Sequence, residues 1–341
     1  MEKIKNFYNK NYKKLVAIPV LLFFLALGYL FYFYFQTGDF FYKDVSLKGG
    51  TTISLFFDLN EKALEPELKK ITSDLEIKTL TDNTGKKISI ILVIPEEKKE
   101  EVINFLEEKI GQKLTQENSS IETTSSSLSK NFQKQLIYSL IIAFFFMSLV
   151  VFIIFAKNKK IKILSVFLTI FLLIFIRFSL HNTNLLLKLA IFFLAFFLAY
   201  FYFKFSISSF AVLFAAASDI ILTLSLVNLL EIKLSTGGIV AFLMLLGYSV
   251  DTNILLTTRV FKRKKTSVNR EIFNAFKTGI SMTLTSIFAL VFALIFVYRF
   301  QSVLNQIFSI LIIGLCFDLI NTWIFNASLL KFFTEKNENH I

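Results

Sequence analysis

The sequence predicts a membrane all-α helical bundle of about eight transmembrane helices with one small extracytoplasmic α+β domain. Three observations predict this fold class. Hydrophobic residues make up 55% of the 341 residues and 43 of them are Phe, which is more apolar surface than one soluble core can bury. Eight apolar runs are each long enough to cross a bilayer, which takes about 20 residues. The longest polar stretch, residues 36–135, falls between the first and second runs.

The eight apolar runs have the length of single membrane crossings. Each is expected to be helical, because a helix pairs its backbone amides within its own segment and unpaired amides are costly in hydrocarbon. The first run lacks a small-residue cleavage site and is longer than the apolar part of a signal peptide, so we expect a retained helix. The runs are Leu15–Phe35, Leu136–Ala156, Ile161–Leu180, Leu185–Phe203, Phe210–Leu230, Leu234–Leu256, Lys277–Tyr298 and Ile307–Leu330.

The distribution of basic residues predicts the orientation. Lys and Arg are concentrated in the N-terminal tail, at residues 157–162, at Lys204 and at residues 259–270, whereas the alternate loops contain few. Cytoplasmic loops are enriched in Lys and Arg. We therefore expect a multi-pass protein of the cell membrane, with both termini cytoplasmic and residues 36–135 extracytoplasmic.

The extracytoplasmic segment has the pattern of a small ferredoxin-like unit. Thr51–Asp58 and Lys87–Ile94 are typical of strands, and each is followed by a segment with apolar residues at helical spacing, Glu61–Leu75 and Glu96–Gly111. The order strand, helix, strand, helix fits a split βαβ arrangement. The Ser- and Thr-rich segment Ser119–Ser129 is interpreted as a linker back to the membrane.

Composition and motifs argue against several classes of protein. One Cys and two His leave no basis for a disulfide framework or a zinc site. The net charge of +12 lies in short runs beside apolar segments, a distribution that favours a lipid bilayer as partner and not nucleic acid. No phosphate-binding loop or nucleophile elbow occurs, so we expect neither an enzyme nor an ATP-driven pump, and no cofactor or metal.

Three carboxylates lie inside the predicted spans: Asp219, Asp251 and Asp318. A charge in mid-membrane costs at least ~2.5–3.5 kcal/mol, so each needs a partner, a water-filled crevice or a proton. They are candidates for a proton relay. The alternative is that each merely holds helices together or lies closer to the membrane interface than the predicted spans indicate.

Asp251 has the most polar sequence surroundings of the three. Gly247, Ser249, Thr252 and Asn253 allow close helix approach and hydrogen bonding. Lys277 begins a later span and is a fourth relay candidate, although snorkelling to the interface also explains a Lys at that position.

Gly49 and Gly50 precede the first predicted strand. A tight turn before a strand is sufficient to explain this pair of glycines.

Several longer segments resemble the SecD/SecF family of protein-export membrane proteins, in the resistance-nodulation-division superfamily, and within it the archaeal form of the SecF branch. SecD-type members have a larger outer region than residues 36–135 provide. The segments are distributed along most of the chain and are LKGGTTI (Leu47–Ile53), SDI (Ser218–Ile220), LMLLGYSVDTNILLTTRVFKR (Leu243–Arg263), KTGISMT (Lys277–Thr283) and DLINTWIFNASLL (Asp318–Leu330).

The resemblance implies an accessory subunit of the Sec export machinery. It implies association with SecD and with a SecY-type translocation channel, and contact of the outer domain with translocating polypeptide. It also implies coupling to the proton gradient through intramembrane carboxylates. Two functions remain as alternatives: a stand-alone proton-coupled exporter of lipids or small molecules, and a non-transporting assembly scaffold.

The chain departs from the family pattern in two respects. SecF members have six spans, so residues 157–205 are interpreted as an inserted helix pair. Bacterial members have an Arg where this chain has approximately Ser281, so an Asp–Arg relay does not transfer directly. The predicted organisation is residues 1–35, tail and first helix; 36–135, outer domain; 136–156, second helix; 157–205, inserted pair; 206–330, core; and 331–341, cytoplasmic tail.

Overall fold

The computed structural model describes residues 2–57, 61–72, 75–81, 87–124, 126–179, 185–261, 267–297 and 303–338. The chain begins with a polar helix, α1 (Glu2–Leu15), which is followed by the apolar helix α2 (Ala17–Thr37). Gly38 ends α2 in the left-handed conformation, and its N–H donates to the Tyr34 carbonyl at 2.9 Å.

A small α+β domain follows α2. Its core contains buried apolar residues from two helices and two strands, among them Ile53, Leu68, Leu92 and Leu106. The elements are α3 (Val45–Lys48), β1 (Gly50–Leu55), α4 (Glu61–Ile71), β2 (Glu76–Thr81), β3 (Lys87–Ile94), α5 (Lys99–Ile110) and β4 (Ser119–Thr124). The antiparallel sheet has the order β2-β3-β1-β4, which confirms the ferredoxin-like arrangement.

The sequence did not predict two of the four strands. β2 was not identified, and β4 lies within Ser119–Ser129, for which we expected a linker; that expectation is wrong for residues 119–124. β4 is an edge strand that pairs only with β1, and edge strands are commonly polar. A cross-strand contact at 3.2 Å between the hydroxyls of Thr51 and Thr123 accompanies this pairing.

Eight stretches of the described residues have the length and hydropathy of membrane-spanning helices, as predicted. The last of them includes a π-helical segment between α12 and α13. After α2, the helices are α6 (Ser126–Phe155), α7 (Lys159–Ser179), α8 (Leu185–Phe205), α9 (Ile207–Leu229), α10 (Thr236–Phe261), α11 (Val268–Val297), α12 (Val303–Ile320), the π segment (Asn321–Asn326) and α13 (Ala327–Glu338).

Helices α9 and α10 form the centre of the bundle. In their most apolar stretches, 61% and 56% of the residues are buried, compared with 6% in α11. Small residues such as Ala211, Ala215 and Ala241 are buried here and allow close approach of the helices. Most of the surface of α11 is left for lipid or for another chain.

The pair α7–α8 lies at the edge of the bundle. It packs on α6 and α9 through a cluster that includes Leu172, Leu198 and Tyr202, and the Tyr202 ring stacks on Phe152 at 4.4 Å between centroids. The outer side of the pair exposes a series of large phenylalanines, including Phe167, Phe192 and Phe196, which suits contact with lipid.

Backbone hydrogen bonds connect the base of the soluble domain to the loop between α9 and α10. The Leu234 N–H donates to the Tyr42 carbonyl at 2.6 Å, and the Asp44 N–H donates to the Leu234 carbonyl at 2.8 Å. This bridge runs parallel at Lys43 and Leu234. Leu47 of α3 is buried in the same apolar cluster as Leu234, so the domain and the bundle share part of one core.

Candidate functional site

Two buried aspartates approach each other inside the bundle. Asp219 lies on α9 and Asp318 on α12, and both have 0% exposed surface. Their carboxyl groups are close enough to repel each other when both are ionised, and both are contacted by the same two elements, α10 and the segment that follows Asp318. Because an ionised carboxylate can only accept, a hydrogen bond between two carboxyl groups requires a shared proton. We call Asp219 and Asp318 the carboxyl pair.

Helix α10 supplies one hydroxyl donor to each member of the pair. The Ser249 hydroxyl donates to Asp219 Oδ2 at 2.5 Å, and the Thr252 hydroxyl lies 3.0 Å from Asp318 Oδ2 and 3.1 Å from Oδ1. Ser249 and Thr252 are three residues apart, so they lie on the same face of the helix. The geometry therefore depends on the packing of α9, α10 and α12 against one another.

The π segment supplies two further donors. The Asn321 side-chain amide donates to Asp219 Oδ1 at 2.6 Å, and the Thr322 hydroxyl donates to Asp318 Oδ1 at 2.9 Å. Two consecutive residues thus contact two different carboxyl groups. Wide π turns are frequently found at functional sites, and this one begins three residues after Asp318.

Asn253 extends the hydrogen-bond network away from the carboxyl pair. Its amide donates to the Ser249 carbonyl at 2.7 Å, and its Oδ1 accepts from the Asn326 amide at 2.6 Å. The network therefore connects α9, α10, α12 and the π segment. We call its members the polar cluster: Asp219, Ser249, Thr252, Asn253, Asp318, Asn321, Thr322 and Asn326.

No positive charge balances the carboxyl pair within the part of the chain that the structure describes. Every donor in the polar cluster is a neutral hydroxyl or amide, and neither aspartate forms an ion pair with a described Lys or Arg. Two negative charges this close and this deeply buried repel strongly. The pair is therefore suited to hold a proton and to release it when the helices separate and admit water.

The polar cluster retains unused hydrogen-bonding capacity. Among the described residues, Oδ1 of Asn321, Oδ1 of Asn326 and the Ser218 hydroxyl are buried without a hydrogen-bond partner. Buried polar atoms are usually paired. These atoms leave room in the hydrogen-bond network for a water molecule.

Two glycines allow the helices to approach each other closely around the polar cluster. A Cβ on Gly314 of α12 would overlap the Leu245 side chain of α10, and one on Gly279 of α11 would overlap the Trp323 ring of the π segment. Neither overlap is compatible with van der Waals packing. These positions require glycine for close approach of the helices.

Asp251 lies outside the polar cluster. Its side chain is exposed near the middle of α10, on the same side as Gly247 and Tyr248, whereas Ser249, Thr252 and Asn253 point inward. Successive residues of an α-helix are about 100° apart, so the sequence neighbours of Asp251 do not surround it in space. The polar surroundings that the sequence indicated for Asp251 belong to the carboxyl pair.

Lys277 is also exposed, and its Nζ lies 5.3 Å from the centre of the Phe273 ring. It does not contact the carboxyl pair. Gly49 and Gly50 lie in the soluble domain with φ values of 83° and 154°, which fits the turn expected before β1.

Sequence reasoning missed the contributions of Asn321, Thr322 and Asn326. Their signal was present as Asn and Thr in an otherwise apolar run, DLINTWIFN, since polar residues in a span usually face the bundle interior.

Comparison with known proteins gives the family. Residues 176–336 match the model of the family described as "Protein export membrane protein SecD/SecF, C-terminal". The chain is 30% identical over 332 residues to "Protein-export membrane protein SecF" from Methanocaldococcus jannaschii, covering 95% of this chain and 96% of that protein. The chain belongs to the SecF family. The Methanothermobacter thermautotrophicus SecF is likewise 30% identical, over 331 residues, with 96% of this chain and 94% of the relative covered.

A solved structure supports the same fold for this chain. The crystal structure of "SecDF, a translocon-associated membrane protein" from Thermus thermophilus matches with a TM-score of 0.56 and 16% identity, covering 96% of this chain. This chain spans 38% of the length of that SecDF chain. At this level of identity the match shows the fold alone.

Proposed function

We propose that this multi-pass SecF-family protein assists the translocation of polypeptides across the membrane together with SecD and a SecY-type channel, and that proton movement through its intramembrane carboxyl groups drives this action. The names of the relatives, protein-export membrane proteins, support the export role. The soluble domain is the part of the chain suited to contact emerging polypeptide, since it is the only described domain outside the bundle.

The carboxyl pair is the observation on which proton coupling depends. Asp219 and Asp318 come from helices separated in sequence, and α10 and the π segment contribute donors to both. Loading or removing a proton changes the preferred spacing of these helices, because two negative charges repel whereas a shared proton joins the two groups. This coupling of charge to helix spacing would link a proton gradient to movement.

A SecD partner is supported by the surface around Asp251. A carboxylate that faces lipid near mid-membrane costs at least ~2.5–3.5 kcal/mol. Asp251 is exposed in this chain, with no described hydrogen-bond or ion-pair partner, and the neighbouring helix α11 is nearly unburied. Polar groups on a membrane surface are expected to face another protein, which makes this side the proposed SecD interface.

The proposed orientation places the soluble domain outside the cell and both termini in the cytoplasm. The basic residues Lys157, Lys204 and Arg259 lie at the ends of helices opposite the domain. The edge position of α7–α8 supports the proposal that residues 157–205 are an insertion beside a six-span core.

The decisive experiment is reconstitution of the purified chain with SecD and the translocation channel in proteoliposomes, with and without an imposed proton gradient. We expect the chain to stimulate polypeptide export, and the gradient to increase this stimulation. Stimulation that is independent of the gradient would support a scaffold, and self-association without capture of SecD would support a stand-alone exporter.

A further inference from the structure

A cavity of about 650 Å³ opens at the end of the bundle opposite the soluble domain. It lies where α6 ends, α7 begins, α8 ends and α9 begins, so it joins the pair α7–α8 to the rest of the bundle. Its volume is within the range of small-molecule sites, about 300–1,000 Å³.

The walls of the cavity are divided into a polar part and an apolar part. The polar groups belong to Lys157, Asn158, Lys204, Ser206 and Ser208. The apolar residues include Ile154, Phe155, Phe203, Phe205, Phe261 and Phe333. This combination fits an amphiphile that has an anionic head and hydrocarbon chains.

The two lysines are available to an anionic ligand. The side chains of Lys157 and Lys204 are exposed, and no described acidic side chain forms an ion pair with either. Lys204 only lies over the neighbouring Phe205 ring, at 5.7 Å from its centre. Basic pockets between transmembrane helices bind anionic lipid headgroups.

Ser208 is a second, independent indication of a ligand. It lines the cavity and is only 6% exposed, yet no described residue hydrogen-bonds its hydroxyl. It stands in the first turn of α9, where the helix dipole favours a negative charge. The neighbouring N-cap Ser206 is already occupied, because its hydroxyl accepts from the Ser209 N–H at 3.4 Å.

We propose that this cavity binds an anionic phospholipid, with the phosphate between Lys157, Lys204 and the Ser208 hydroxyl, and the acyl chains against the phenylalanines. The lipid would fasten the inserted pair to the core at the membrane surface. This site is independent of the carboxyl pair and of the export role.

Lipid retention by the full chain tests the proposal. The purified chain in non-ionic detergent is titrated with phosphatidylglycerol, and bound lipid is counted by native mass spectrometry. Each lysine near an anionic headgroup contributes about fivefold in affinity, so Lys157→Gln/Lys204→Gln should weaken binding about 25-fold. Ser208→Ala should weaken it about tenfold through loss of a charge-assisted hydrogen bond.

The matched control is Lys159→Gln/Lys160→Gln, which removes the same amount of charge beside Lys157, at residues that do not line the cavity. It should bind lipid like the wild type. An equal loss of lipid binding in the control variant would show that binding depends on general surface charge, and it would overturn the proposed site. Absence of retained phosphatidylglycerol, or its displacement by inorganic phosphate at equal concentration, would also overturn it. If the lysine double variant does not fold, phosphatidylglycerol binding by the Ser208→Ala variant tests the proposal, and binding equal to that of the wild type would overturn it.

Discussion

Asp219 allows the energetic and the functional role of the carboxyl pair to be separated with two substitutions. Asp219→Asn keeps the shape of the side chain. Its new oxygen can accept from the Asn321 amide, and its new amide can donate to the Ser249 hydroxyl, which is able to accept as well as donate. Both hydrogen bonds therefore survive, and we expect a change in unfolding free energy of under about 0.5 kcal/mol.

Asp219→Leu removes both acceptors at the same position. Interhelical hydrogen bonds in membrane proteins contribute about 0.6 kcal/mol on average and up to about 1.7 kcal/mol. Loss of the bonds from Ser249 and Asn321 should therefore destabilise the bundle by about 1–3 kcal/mol. Thermal or denaturant unfolding of the purified chain in detergent measures this difference.

The functional assay should not separate the two variants in the way that the stability assay does. Neither variant can cycle a proton at position 219, so both should lose the gradient-dependent part of export stimulation although Asp219→Asn folds normally. Full gradient-dependent export by the Asp219→Asn protein would refute the proton role of Asp219. Wild-type stability of the Asp219→Leu protein would refute the energetic role of its hydrogen bonds.

Three further outcomes are expected. Asp251→Asn should leave the stability of the isolated chain unchanged, since the side chain is exposed, but abolish gradient-dependent export in the presence of SecD, because Asp251 lies on the proposed SecD interface; export at the wild-type rate would show that this interface does not need the carboxylate. Gly279→Ala should cost about 1–3 kcal/mol through overlap with the tryptophan ring, whereas Gly247→Ala, which has open space around it, should be neutral by the same unfolding measurement. In a chain without its native cysteine, Lys113→Cys should react with an impermeant thiol reagent in intact cells and Lys160→Cys should not; the reverse pattern would invert the topology.

The transmembrane spans could be predicted from sequence because the bilayer imposes a single requirement on each of them. A run of about 20 apolar residues is forced into a helix wherever it occurs. The soluble domain has no such constraint. Its strand β4, Ser119–Thr124, carries a single large apolar residue, Ile121, so pairing with β1 holds it in the sheet and hydrophobic periodicity gives no signal.

The sequence pattern alone could not show which residues meet at the candidate site in the folded structure. All three intramembrane aspartates were identified, but which of them meet is decided by the rotation of α9, α10 and α12 about their axes. Asp251 and Thr252 are adjacent in sequence, yet only Thr252 points inward to Asp318. The π segment, which directs Asn321 and Thr322 to different carboxyl groups, adds a turn geometry that residue spacing alone does not indicate.

The bridge between Leu234 and residues 42–44 gives the soluble domain a mechanical connection to the bundle. Both hydrogen bonds of the bridge join backbone atoms, so the connection does not depend on which side chain occupies position 234, provided that the residue keeps its N–H. A tilt of α9 or α10 would shift the loop that connects them. Because the two hydrogen bonds join this loop directly to residues 42–44, those residues would be displaced with it. The loop between α9 and α10 would then transmit a helix movement within the membrane to the soluble domain.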